Sequence, residues 1–243
     1  MDTEARIPER DRAAPEQGVE RSRSAFSGVL AGLTRRRAVL AGLAGALGVV
    51  LFANFVLQPF LIPSRSMEPT LAVGDRVLVN KLAYRFGNEP RRGDLVVFDG
   101  TGSFVRERAG ADPLGEALHG AAAALGLAEP AETDFVKRVV GVGGDDVVCC
   151  DADGRITVNG EPVHEPYLHP GDAPSTVPFK TVVPLGTLWV MGDHRSQSRD
   201  SRDHLGSPGG GMVPVEKVIG RAEWIGWPLS RWGRPGGSGG GHG

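Results

Sequence analysis

The chain has 243 residues, 27 basic and 29 acidic, with a formal net charge of −2. That length leaves room for one sizeable domain and an anchor. Near-balanced charge, with no basic run beyond the first forty residues, argues against nucleic acid as a partner. Thirty-six glycines and eighteen prolines exclude a simple helical bundle and point to turns and short strands.

Residues 1–37 are polar and charged, lack an apolar period, and read as a disordered cytoplasmic tail ending in Arg35, Arg36 and Arg37. From Ala38 to Leu61 the chain is almost continuously apolar, broken only by small residues, Asn54 and Gln58. About 20 such residues in a helix cross a bilayer core, so a transmembrane helix is expected over 38–61. The preceding arginines put its N-terminal side in the cytoplasm and everything after Leu61 outside. A cleaved signal peptide is a competing reading, since Thr34 to Leu40 is similar to a twin-arginine export signal. A buried core helix is another. The apolar run exceeds a signal core of about 7–15 residues and meets the next motif without a polar spacer, which favours an uncleaved anchor.

That motif is Ile62-Pro63-Ser64-Arg65-Ser66-Met67-Glu68-Pro69-Thr70-Leu71. It ties a candidate serine nucleophile to a membrane surface. Short strands with turn signals between them follow: Arg76 to Leu82, Gly93 to Phe98, Asp134 to Val142, Asp146 to Cys150, Ile156 to Pro162, Thr187 to Asp193 and Val218 to Gly226. This is the pattern of an all-β sandwich or barrel. An alanine- and leucine-rich stretch, Pro113 to Leu127, predicts a small helix within an insertion spanning about 100–133. The glycine-rich end, from about 229 to 243, reads as a flexible tail. Trp224, Trp227 and Trp232 suit either the lipid interface or ordinary packing. Cys149 and Cys150 are adjacent and cannot close a conventional loop; half-buried strand thiols and a redox role both stay open.

A serine hydroxyl is a weak nucleophile until a base takes its proton. The six histidines are scattered, and none lies in a nucleophile-elbow or triad context. Lysine is the other candidate base, although its ordinary pKa of about 10.4 keeps it protonated at neutral pH. Burial lowers that value by disfavouring the charged form, whereas arginine does not deprotonate. Only Lys81, Lys137, Lys180 and Lys217 occur. Lys137 lies on an apolar strand, where alternation puts Phe135, Lys137 and Val139 on one face and Val136 and Arg138 on the other. A charge at a sheet edge is the plain alternative for Lys137. The polar run from Met191 to Arg202 reads as a solvated turn or a metal-binding loop, and its arginines weigh against calcium.

Together, in this order, the anchor, the Ser64–Leu71 block, Arg92-Gly93-Asp94, Lys137-Arg138 and the Gly192–Arg202 block resemble the type I signal peptidases. These are membrane-anchored serine proteases that remove signal peptides from exported proteins. The match runs from the apolar segment to about Trp227. The resemblance implies Ser66 as nucleophile and Lys137 as general base. It implies Ser64, with the Ser66 backbone N–H, as the oxyanion hole, and Ser198 as the residue orienting the lysine amine. Asp200 and Arg202 match a supporting ion pair, and Phe60, Leu71, Phe135 and Val136 fall where the family lines its small-residue pockets. His194 stands where many members carry asparagine and Ser196 where aspartate is frequent, while Arg65 and Glu68 occupy variable positions. The implied fold is mainly β: a transmembrane helix, then an extracytoplasmic antiparallel, barrel-like peptidase domain over 62–228 with a small helical insertion. The implied partners are signal peptides and the lipid bilayer, with no cofactor, metal or nucleic acid, and the expected state is a monomer. A self-cleaving Ser/Lys protease is a related alternative, and an anchored, non-catalytic binding domain is one from a different class.

Overall fold

The computed structural model describes residues 36–48, 56–105, 133–207 and 209–236. Residues 1–35 of the expected tail, 49–55 of the expected span, 106–132 of the expected insertion with its helix, and 237–243 lie outside the described residues. The chain divides into two compact units, Met1–Leu51 and Phe52–Gly243. In the first, residues 36–48 form a helix with exposed side chains. Among the described residues no helix is long and apolar enough to cross a membrane.

The far end of the expected span is a strand. Leu57–Leu61 (β1) pairs antiparallel with Arg76–Asn80 (β2), Leu57 opposite Asn80 and Leu61 opposite Arg76. Pro59 accounts for part of this difference: it lacks the N–H a helix interior needs, yet is tolerated on the edge strand of a sheet. Phe60 and Ile62 then bury into the core.

The remaining strands are β3 (Leu95–Asp99), β4 (Asp134–Val142), β5 (Asp146–Cys149), β6 (Ile156–Val158), β7 (Glu161–Pro162), β8 (Phe179–Val182), β9 (Thr187–Met191), β10 (Val213–Pro214) and β11 (Val218–Trp227). They make a seven-stranded sheet, ordered β1-β2-β11-β3-β4-β9-β10, and a four-stranded sheet, ordered β7-β6-β5-β8. The pairings between successive strands are antiparallel. Both sheets are open, which corrects the expected barrel-like closure. Alternation in sequence records which face of a strand is buried, but not whether the two outermost strands meet.

Each strand expected from sequence is present, though Ile156 to Pro162 is split into β6 and β7. Strands β1, β8 and β10 were not expected. The first hides in the apolar run, the second carries an exposed edge pattern, and the third has only two residues. Phe60, Ile62, Met67 and Leu71 share one core cluster with Val77, Val79, Leu95 and Ile225. Burying a side chain such as Met67 or Leu71 stabilises by about 1.5–3 kcal/mol, so the serine motif is fixed from both ends of its turn. A second cluster surrounds Trp189 and joins the two sheets.

Cys149 and Cys150 are joined in a disulfide, rather than standing as two strand thiols. Leu229–Arg231 forms a 3-10 turn, and Gly233 pairs with Ile225, so the first residues of the expected tail are tied to the sheet. Trp232 packs edge-on against Trp224 at 6.1 Å, while Trp227 is largely exposed.

Candidate active site

Ser66 sits in a single 3-10 turn, Arg65–Met67. The turn is held by backbone hydrogen bonds from Ile62 N to Asp75 O (2.9 Å) and from Leu71 N to Met67 O (2.8 Å). Because Met67 drops into the core beside it, Ser66 is only 7% exposed. Lys137 projects from β4, opposite Val96 of β3. β4 lies between β3 and β9, so Lys137 is an interior residue, 3% exposed, and not a charge at a sheet edge.

The Lys137 Nζ lies 2.8 Å from the Ser66 Oγ, across 71 positions of sequence. Burial pushes the Lys137 pKa down to about 8, and Arg202 adds to this. The Asp200 and Asp193 carboxylates pull the other way. Desolvation wins because an ammonium loses more hydration in the core than distant carboxylates return. Ser64 is exposed, and its Oγ is 3.3 Å from that of Ser66.

Beyond β9 the chain turns at Gly192 and runs through the 3-10 turn Arg195–Gln197. Asp200 and Arg202 form a buried ion pair, with Nε to Oδ1 at 2.8 Å and Nη2 to Oδ2 at 2.9 Å. Burial alone would raise the Asp200 carboxyl, but the Arg202 guanidinium and the Gly192 N–H, which donates to Oδ2 at 3.0 Å, hold it below the usual range. The hydrogen bond expected between Ser198 and Lys137 is not formed. The Ser198 hydroxyl is buried without a hydrogen bond of ordinary geometry, and its influence falls on Asp200, whose carboxyl it helps to hold low. It packs over Gly192, where an added Cβ would lie 2.3 Å from Ser198 Oγ and 2.5 Å from the Ser66 carbonyl oxygen.

Of the expected pocket residues, Phe60, Leu71 and Val136 pack in one cluster. Phe135 does not join them. It belongs to the opposite face of β4, with Phe98 at 5.9 Å and Phe104 at 5.5 Å between ring centroids.

Residues that the sequence reading left without a role brace the site. Arg138 clamps Asp193 through Nε–Oδ1 (2.8 Å) and Nη2–Oδ2 (2.6 Å), and its Nη1 donates to Gly93 O at 2.9 Å. Thr70 donates to Asp193 Oδ2 at 2.5 Å, and the Tyr167 ring covers the guanidinium at 3.9 Å. Burial, with Glu165 nearby, pushes the Tyr167 phenol up. Arg195 pairs with Glu165 in a further buried ion pair. The His194 N–H donates to Ser66 O at 3.1 Å, and its ring Nδ1 donates to Arg65 O at 3.2 Å. Thr70, Arg138 and Asp193 each belong to a motif singled out in sequence, but nothing in their spacing pairs them.

The family model for signal peptidase, peptidase S26, matches residues 35–227. A signal peptidase I of Mycobacterium tuberculosis is 44% identical over 221 residues, covering 82% of this chain and 74% of that one. A probable signal peptidase I of Mycobacterium leprae is 41% identical, covering 81% of this chain and 77% of its own. A signal peptidase I of Leptolyngbya laminosa is 37% identical over 191 residues, covering 79% of this chain and 77% of that one. A crystal structure of a signal peptidase I from Enterococcus faecalis V583 superposes on 55% of this chain and 96% of its own, at 21% identity and a TM-score of 0.34. The match of the family model across most of the chain, and relatives above 40% identity, place it: the chain belongs to the signal peptidase family, peptidase S26, and is a serine endopeptidase.

Proposed function

We propose that this enzyme is a membrane-anchored signal peptidase that cleaves exported preproteins after small residues, with Ser66 as nucleophile and Lys137 as general base. The observation that carries the reading is the 2.8 Å contact between Lys137 Nζ and Ser66 Oγ in a buried setting that lowers the lysine pKa. A neutral amine at that distance accepts the hydroxyl proton as the oxygen attacks the scissile carbonyl. The ammonium then gives its proton to the leaving amine, and the same amine activates the water that hydrolyses the acyl-enzyme. The Ser64 hydroxyl, 3.3 Å from Ser66 Oγ, and the Ser66 backbone N–H meet the developing oxyanion. A single such donor is worth about 10²–10³ in rate.

Asp200–Arg202 holds the 192–202 loop against this pair, and Ser198 shares that packing through Gly192. Phe60, Leu71 and Val136 supply apolar walls near the motif, which favours small side chains before the cleaved bond. The apolar segment from Ala38 keeps the enzyme in the same layer as its substrates, with the catalytic domain on the extracytoplasmic side, and it acts as a monomer. Mutation of the base tests the reading. Lys137→Ala and Lys137→Arg should each abolish processing of a preprotein in vitro, the second because arginine keeps its proton. Retained cleavage by either variant would exclude the dyad.

A further inference from the structure

One residue of the loop after β9 grips the chain on both sides of Ser66. The His194 backbone N–H donates to Ser66 O at 3.1 Å, and its ring Nδ1 lies 3.2 Å from Arg65 O. A carbonyl oxygen only accepts, so Nδ1 carries the hydrogen. These two carbonyls belong to the peptide planes before and after the Ser66 Cα. Each plane is rigid, so holding both fixes the two soft dihedrals of Ser66. The ring is itself held. His194 is 8% exposed, and the His169 imidazole stacks on it with centroids 3.8 Å apart and an interplanar angle of 4°. His169 is anchored in turn, its backbone N–H donating to Asp193 O at 3.1 Å and its Nδ1 to Pro170 O at 3.1 Å.

The first of those planes carries the Ser66 N–H, which in the proposed mechanism meets the developing oxyanion. The Arg65–Ser66 peptide is trans, so its C=O and N–H point in opposite directions. A donor seated on Arg65 O therefore fixes, from behind, the line along which the Ser66 N–H points. Charge drawn onto that oxygen also makes the N–H a stronger donor, as in any chain of hydrogen bonds. Arg65 O accepts from Glu68 N as well, at 3.1 Å. That bond moves with the turn, whereas the imidazole ties the peptide to the loop carrying Arg195–Gln197 and Asp200.

We propose that His194 is a positioning residue: through its Nδ1–H it orients the Arg65–Ser66 peptide so that the Ser66 N–H is aimed at the oxyanion. It acts through that peptide and not on the reacting atoms. The role rests on Ser66 being the nucleophile. A misplaced donor forfeits part of the rate factor of about 10²–10³ that one oxyanion contact supplies. The loss falls on kcat, because the oxyanion exists only after attack.

The test uses the full-length enzyme in detergent and steady-state turnover of a preprotein. Leucine and asparagine share one branched shape, but asparagine keeps a nitrogen donor on Cγ, where the histidine Nδ1 stands. His194→Leu should lower kcat about tenfold or more with KM little changed, and His194→Asn should recover most of that loss. Packing alone would treat the two alike, so equal kcat in both variants, or wild-type kcat in His194→Leu, overturns the proposal. A loss carried by KM overturns it too. Nitrogen NMR of the wild-type imidazoles keeps the idea falsifiable should His194→Leu misfold. The His194 signal, assigned by its loss from His194→Asn, should show Nδ1–H; an Nε2–H tautomer excludes the bond to Arg65 O. Cleavage by Ser66→Ala would instead sink the nucleophile on which the role depends, with the Nδ1–H signal unchanged.

Discussion

Lys137 is where two demands on one side chain collide. On the proposed mechanism its amine must be neutral to act as a base, and burial on an interior strand favours that form by lowering its pKa to about 8. Turnover, read as kcat/KM, should therefore rise with pH and level off above about 8, as the amine loses its proton. A flat profile between pH 6 and 9 would contradict a lysine base. The same burial costs stability. The lysine pKa falls from 10.5 to about 8 on folding, so between those values the unfolded chain binds more protons than the folded one. Stability thus rises with pH across that window, and below it the penalty is constant at roughly 3 kcal/mol. Lys137→Met should raise the denaturant midpoint at pH 7 and remove the slope between about pH 8 and 10.5, measured by chemical unfolding at each pH.

At the scale of elements, the site is a junction of three pieces: the 3-10 turn at Ser66, strand β4 and the loop after β9. Gly192 is the pivot of that junction. Any side chain there would overlap the Ser198 side chain and the Ser66 carbonyl, at 2.3–2.5 Å. The second cannot yield freely, since it is backbone held by His194 N. Gly192→Ala should therefore lower kcat by about 10²-fold or more through displacement of Ser66, while KM changes little. Steady-state kinetics on a preprotein checks this, and a wild-type kcat would refute it. The Arg138–Asp193–Thr70 clamp works at this scale too, since it links β4, the loop and the serine motif through charges largely removed from water. Removing one partner of such a pair strands the other and costs far more than the pair contributes.

Across the whole molecule, contacts separate residues 1–51 from the unit that carries Ser66, Lys137 and Asp200. Deletion of 1–51 should leave turnover of a short soluble peptide intact. It should reduce binding to vesicles and slow cleavage of a membrane-inserted precursor, because anchoring acts by proximity. Co-sedimentation with vesicles, alongside peptide kinetics, distinguishes the two effects; loss of peptide turnover would show that the segment also supports the site.

Much of this enzyme is written locally. Strand β4 appears in sequence with its observed ends because alternation and turn residues mark a half-buried strand wherever it packs. Ser66 and Lys137 were legible as a reactive type and an isolated lysine on an apolar strand, joined by the order of their motifs. Three things depended on chain segments distant in sequence. Whether Leu57–Leu61 is helix or strand was decided by pairing with β2, since an apolar run satisfies either structure. The open sheets followed from which edges found partners, and no edge is marked by alternation alone. The lowered lysine pKa needed the core built around Lys137, because desolvation is a property of surroundings and not of a residue. Sequence thus marked the candidate reactive groups; only tertiary structure placed a lysine and a serine 2.8 Å apart in a buried setting.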